Sequence, residues 1–276
     1  MNRAQRRQNK RLLDSGGNAA RSHKHDIMYA MPTYRGMVEG KTRESLQNLM
    51  RYMNSRQYVQ AMYRSESVIV AKARNDAVDR ARECDAEWLM FIDADMVFEP
   101  QMVEMLLAHD KDIVGGLCVK RVEPYTPTVF WYSDEEERYI AGDHFALNSL
   151  TKCDATGTAF LLIRMSAFDK LEKPYFAFPP SGEGIMGEDL YFCTKARDAG
   201  FEIFVDTGVS VGHLGDYPFT YVDRINYLRL VEGSDEDQSA TSDNEGGIRP
   251  NAGGGISALL RTPPGSGEIP SVAGEN

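Results

Sequence analysis

Long apolar runs are missing from this sequence. The longest, such as residues 88–92 and 159–163, have five members each, against the roughly 20 that a helix needs to cross a bilayer, so no membrane span is expected. Basic residues are outnumbered: 31 Lys and Arg face 41 Asp and Glu, for a formal charge of −10. The cationic surplus that broad, nonspecific nucleic-acid binding requires is therefore absent. Cysteine is scarce as well. Cys84, Cys118, Cys153 and Cys193 form no C-x-x-C pair, which argues against a zinc site or a disulfide framework and reads as reduced core thiols. The Arg- and Gln-rich N-terminus has no apolar stretch behind it, so no secretory signal is visible and the expected compartment is the cytoplasm.

What is present is an ordinary globular composition, 42% apolar and 26% charged over 276 residues, enough for one sizeable core with tails. Residues 1–25 set Arg3, Arg6, Arg7, Lys10, Arg11, Arg21 and Lys24 against Asp14 alone. They are expected to form a flexible tail, with a docking arm for an anionic partner as the second reading. Residues 233–276 are rich in Gly, Ser, Pro and Asp and bury too little apolar area to offset their ordering entropy, so disorder is expected there. The domain lies between, at 26–232.

Within it, residues 27–31 read as a strand closed by Pro32, which disfavours helix at the residue before it. Leu46, Leu49, Met50 and Met53 recur at the period of an amphipathic helix. A strand at 58–63 and a helix at 68–82 follow. Residues 88–92 are apolar on both faces, as at the centre of a parallel sheet. A helix from Pro100, with Met102, Val103, Leu106 and Leu107 inward, leads to a strand at 113–117. This order implies an α/β fold with a Rossmann-like open, mostly parallel sheet and helices on both faces. Further on, strands at 129–132 and 158–163, a short helix from Ser166 to 171, a helix at 188–199 stopped by Gly200, strands at 203–205 and 209–211, and a closing helix at 217–231 are expected.

Ligands of open α/β sheets bind beyond the carboxyl ends of the strands, and the residues there are polar. Pro32, Thr33 and Tyr34 follow the first strand, Asp93, Ala94 and Asp95 the third, and His213 the last. Residues two apart in an extended chain project to one side, so Asp93 and Asp95 can face one point, where like charges call for a cation. The plainer reading is a turn or helix cap. Glu188 and Asp189 open a helix after a glycine-containing loop, where the helix dipole favours acids in any case and where a carboxylate can also serve as a general base. His213, flanked by glycines, is either a hydrogen-bonded structural residue or a ligand. With two carboxylates it would make an O,O,N set suiting Mn²⁺ better than Mg²⁺. Arg74 and Asn75 lie on an otherwise apolar-faced helix, as an exposed face or as a contact to a nucleotide.

Together these motifs resemble the GT-A fold glycosyltransferases, and in particular the inverting family 2, over about residues 26–216. Pro32-Thr33-Tyr34 is similar to the family's nucleotide-contacting turn, and Ala73-Arg74-Asn75 to its helix motif near base and ribose. Asp93-Ala94-Asp95 resembles its D-x-D, whose last Asp holds the metal, and Thr156-Gly157-Thr158-Ala159-Phe160 a segment lining donor and acceptor sites. Glu188-Asp189 resembles its E-D motif, whose Asp is the usual base, and Gly212-His213-Leu214-Gly215 the late His that some members give to the metal. The resemblance implies metal-dependent transfer of a sugar from a nucleotide-sugar, a UDP-sugar favoured, to an acceptor hydroxyl by single displacement. The acceptor stays open among protein, glycan and modified nucleic acid. Many members place an Asp after the second strand, where this chain offers only Glu66. Two other classes compete: a haloacid-dehalogenase-like phosphatase with Asp93 as nucleophile, since Asp93-Ala94-Asp95-Met96-Val97 fits D-x-D-x-[TV], and a non-catalytic nucleotide-sugar-binding module.

Overall fold

The structure, a computed structural model, describes residues 25–239 apart from Arg35, Glu66, Gly182 and Glu183, with backbone alone for 233–239. The expected tails up to 24 and beyond 239, and Glu66, lie outside the described residues. The chain runs β1 (His25–Pro32), α1 (Gly40–Ser55), β2 (Gln60–Ser65), α2 (Val70–Glu83), β3 (Ala86–Ile92), β4 (Met96–Val97), α3 (Gln101–Ala108) and β5 (Ile113–Leu117). Then come β6 (Val129–Ser133), β7 (Arg138–Ala141), β8 (Leu150–Cys153), β9 (Ala155–Thr156), β10 (Phe160–Arg164) and a 3₁₀ turn, Met165–Lys170. The last elements are β11 (Pro180–Ser181), β12 (Gly184–Ile185), α4 (Glu188–Asp198), β13 (Ile203–Ser210), β14 (Gly212–Leu214), β15 (Pro218–Phe219) and α5 (Tyr221–Ser239).

Seven strands form the central sheet in the order β2-β1-β3-β10-β5-β13-β8. β2, β1, β3, β5 and β13 run parallel, while β10 and β8 run against them. The mostly parallel Rossmann-like α/β class expected from the sequence is thus the fold. From β1 the chain steps outward to β2 and then back across β1 to β3, so a topological switch point opens between β1 and β3 at their carboxyl ends.

The centre of the sheet is covered on both faces because β1, β3, β5 and β10 are buried on both. Ile27, Tyr29, Met31, Trp88, Met90 and Ile92 meet Leu46, Leu49 and Met53 of α1 and Val103 and Leu106 of α3. Alternate residues, Met28, Ala30, Leu89 and Phe91, are equally buried and belong to the other face. There α2 packs on β1 and β3. It presents buried Ala73, Ala77 and Ala81 at helical spacing, small side chains that let the backbones approach. Phe91, Phe176, Phe192 and Phe168 continue that layer as an aromatic chain, with Phe176 stacked on Phe192 at 4.8 Å.

Three expectations change. β10 lies antiparallel between β3 and β5, because two-sided burial leaves the same unbroken apolar run whichever way a strand points. The strands expected at 203–205 and 209–211 are one strand, β13, with an irregularity between Asp206 and Ser210. The closing helix starts at Tyr221 and runs to Ser239, into the segment expected to be disordered. The described residues fall into two units parting between Arg224 and Ile225, and everything below concerns the first. No helix among the described residues is long and apolar enough to cross a membrane.

Leu162 is fully buried in β10, opposite Met90 on one side and Val114 on the other. Leu162→Ala should lower the unfolding free energy by about 2–5 kcal/mol in urea titrations, the usual range for such a cavity. A loss under about 1 kcal/mol would mean that β10 does not sit in the core.

Candidate active site

The residues singled out by sequence collect at one edge of the sheet, because the parallel strands end there and the antiparallel β10 begins there. Asp93 N–H donates to Ala159 O at 2.9 Å, pinning the end of β3 to the start of β10. Past Ile92 the chain turns: Met96 N–H donates back to Asp93 O, Glu39 N–H to Ala94 O, and Leu214 N–H to Asp95 O. All three carbonyls of the Asp93-Ala94-Asp95 turn are thus held, two of them by the approach to α1 and by β14. This corrects the extended-chain argument. The pair sits on a turn, and the two carboxylates engage different partners.

Asp93 faces Arg74. Nη2 of Arg74 donates to Asp93 Oδ1 and Oδ2 at 3.1 and 3.3 Å, and its Nε donates to Glu188 Oε1 at 3.2 Å. The Arg74 side chain is 3% exposed, so the exposed-face reading fails. Burial alone would lower its pKa, but Asp93 and Glu188 more than offset that and the guanidinium stays charged. Asp93 is held above the usual carboxylate range by burial, with Arg74 pulling the other way. Nη1 of Arg74 is buried with no hydrogen-bond partner among the described residues, as is Oγ1 of Thr158. Buried polar atoms of this kind call for an acceptor or donor from elsewhere.

Asp95 has other partners. Its Oδ2 lies 3.3 Å from His213 Nε2 and 3.1 Å from Arg121 Nη1. Burial would raise its pKa, but the hydrogen bond and charge of His213 and the charge of Arg121 prevail and keep it below the usual range. His213 Nδ1 lies 2.9 Å from Val119 O. A carbonyl only accepts, so Nδ1 carries a proton, and Nε2 is the ring nitrogen turned toward the Asp95 carboxylate. Such a nitrogen beside an ionised carboxylate suits a divalent cation. The three expected ligands do not stand as one group, however. Among the described residues no cluster of three His, Cys, Asp or Glu side chains is gathered for a metal, since Asp93 is committed to Arg74.

Residues 39–171 match the family model described as Glycosyl transferase family 2. Over that segment the chain is similar to the family 2 glycosyltransferases. The match takes in Arg74, Asp93, Asp95 and Arg121, and ends before Glu188, Asp189 and His213. No curated protein matches the chain. Among solved structures, A197 from STIV is similar over 69% of this chain and 86% of its own, at 18% identity and a TM-score of 0.47. TarS 1–349 of S. aureus is similar over 80% of this chain and 67% of its own, at 16% identity and a TM-score of 0.38. The same TarS fragment in complex with UDP gives 0.37.

Beyond the matched segment, Glu188 and Asp189 form the first turn of α4. Asp189 Oδ1 accepts from Leu190 N–H at 2.8 Å. A Cβ on residue 187 would stand 2.6 Å from that oxygen, so Gly187 is what lets the carboxylate fold against its own backbone. Burial, then the Glu188 charge, hold Asp189 above the usual carboxylate range, with Leu190 N–H and Arg74 opposing. At the other end of the site, Thr33 is tied by its N–H and its hydroxyl to Ser65 O, closing β1 onto β2, and Tyr34 beyond it is exposed. Asn75 donates to Ala71 O and Phe176 O, both at 2.7 Å, and accepts from Tyr175 N–H and Phe176 N–H. Its whole amide is used to fasten the segment below Phe91, which leaves no spare donor for a nucleotide. Sequence reasoning missed Arg121. A lone Arg four residues past β5 gives no signal until β14 brings Asp95 and Leu214 beside it.

Arg74→Gln would leave Asp93 and Glu188 facing each other without their cation. The expected loss is about 3–5 kcal/mol of unfolding free energy, the range for breaking a buried pair by removing one partner. Equilibrium denaturation measures it, and a change within 1 kcal/mol would show that the guanidinium is not holding the two elements.

Proposed function

We propose that the chain transfers a sugar from a nucleotide-diphosphate-sugar, a UDP-sugar favoured, to an acceptor hydroxyl by an inverting single displacement that depends on a divalent metal. The observation that carries this reading is the Arg74 bridge. It ties the turn bearing Asp95 to the helix start bearing Asp189, so a metal ligand and a base belong to one edge. Asp95 and His213 would hold the ion, Mn²⁺ before Mg²⁺ because one donor is nitrogen, with Asp93 kept nearby by Arg74. A bound divalent ion supplies positive charge to the departing diphosphate. The orphan Nη1 of Arg74 and hydroxyl of Thr158 offer further donors to the nucleotide side, with the backbone around Pro32, Thr33, Tyr34 and Ala94 as its floor. Asp189 takes the acceptor's proton as its oxygen attacks the anomeric carbon. Its engagement with Leu190 N–H fixes one oxygen and leaves the other for that proton. The four cysteines are free thiols, in keeping with a reducing, cytoplasmic setting.

The phosphatase alternative needs Asp93 as a free nucleophile, whereas Arg74 occupies both of its oxygens. The binding-module alternative gives Asp189 no task.

Three measurements test the reading. Asp189→Asn should lower kcat by about 10²-fold or more while UDP binding stays within about 2-fold, and a variant with wild-type kcat would remove Asp189 as the base. Activity requires the ionised carboxylate, and its pKa is raised. The acid limb of kcat/KM should therefore fall at a pH above that of an ordinary Asp, with activity lost as pH drops through it. Chelation should abolish transfer and added Mn²⁺ restore it. Undiminished transfer in excess EDTA would sink the metal.

A further inference from the structure

Asp95 Oδ2 is shared. His213 Nε2 approaches it at 3.3 Å and Arg121 Nη1 at 3.1 Å, and the same Nη1 donates to Leu214 O at 2.9 Å. The Arg121 side chain is 47% exposed, unlike that of Arg74. An ion pair so open to water is worth about 0–1 kcal/mol, so this contact is easily given up. The loop that carries it is nevertheless well anchored. Thr128 N–H donates to Cys118 O and Lys120 N–H to Thr126 O, at 2.9 and 3.0 Å. Val119 O meets His213 Nδ1, and Tyr125 stacks on Phe219 at 5.3 Å. A fixed backbone therefore presents a half-exposed guanidinium fork beside a carboxylate. Any divalent ion taking Asp95 would stand against that guanidinium, and two positive charges on one oxygen repel.

Building on the metal and nucleotide reading above, we propose that Arg121 is an exchangeable cation: it neutralises Asp95 until a divalent ion takes that oxygen, then turns its guanidinium to the diphosphate of the donor. The planar fork fits phosphate oxygens in a bidentate way that a lysine cannot match. Arg121 is thus both a competitor of the metal and a ligand of the nucleotide. These two roles have opposite signs. Removing the charge should tighten the metal and loosen the diphosphate, a combination that a merely structural residue would not give.

The test uses the full chain and two titrations, Mn²⁺ alone followed by electron paramagnetic resonance of the free ion, and UDP at saturating Mn²⁺ followed by calorimetry. For Arg121→Gln the expected results are Mn²⁺ binding about 2- to 5-fold tighter and UDP binding about 10-fold weaker. Arg121→Lys should keep wild-type Mn²⁺ affinity and fall between the two for UDP. Arg121→Ala is the second neutral variant, and it should repeat the Gln result. Unchanged affinities in both neutral variants, or shifts of both ligands in the same direction, would overturn the proposal. Wild-type protein that bound neither Mn²⁺ nor UDP would instead overturn the reading of the site itself, and this proposal with it.

Discussion

The guanidinium of Arg74 is the constraint on which the site depends. It is almost fully buried, and it joins Asp93, at the end of a central strand, to Glu188, at the start of a helix 114 residues beyond Arg74 itself. Neither carboxylate would be stable there by itself, because burial disfavours an ionised acid with no partner. With the cation between them, two acidic motifs that repel each other come together at one edge. The pairing has a packing origin. Alanines at 73, 77 and 81 seat α2 closely on β1 and β3, and Arg74 passes over the Phe91 ring at 5.3 Å on its way to Asp93.

The turn itself is held by its backbone rather than by its side chains. Glu39, Met96 and Leu214 each spend an amide hydrogen on one of its three carbonyls, and its first amide goes to Ala159. Three separate stretches of chain, together with the turn's own continuation at Met96, therefore fix where Asp93 and Asp95 stand before any ligand is considered. This is pre-organisation in the sense that matters for charge stabilisation, since no reordering is needed when charge develops nearby.

Much of this was legible in the sequence, and what was not has identifiable causes. β3 and β5 were readable because two-sided burial leaves five-residue apolar runs between polar ends, and the Asp pair because it directly follows one of them. The antiparallel sense of β10 was not readable, since a doubly buried strand carries no mark of direction. Arg74 was noticed as an oddity on an apolar face, but its partner Glu188 is set by tertiary contact and leaves no local pattern. Asn75 shows the reverse case. The resemblance pointed it at a nucleotide, while the fold gives every hydrogen bond it can make to Ala71, Tyr175 and Phe176. Extended-chain geometry also misled for Asp93 and Asp95, because the strand ends one residue too early for it to apply.

The two arginines of the site divide the work by burial. Removing a partner from a buried pair costs about 3–5 kcal/mol, so Arg74 and Asp93 form a permanent part of the frame. An exposed pair costs at most about 1 kcal/mol to separate, so Arg121 and Asp95 form a contact that a ligand can replace. One D-x-D turn thus holds two carboxylates with different duties, and the difference comes from the solvent around their cations rather than from the acids. Asp93 is tied into the architecture by a buried cation, and the cation beside Asp95 is half open to water.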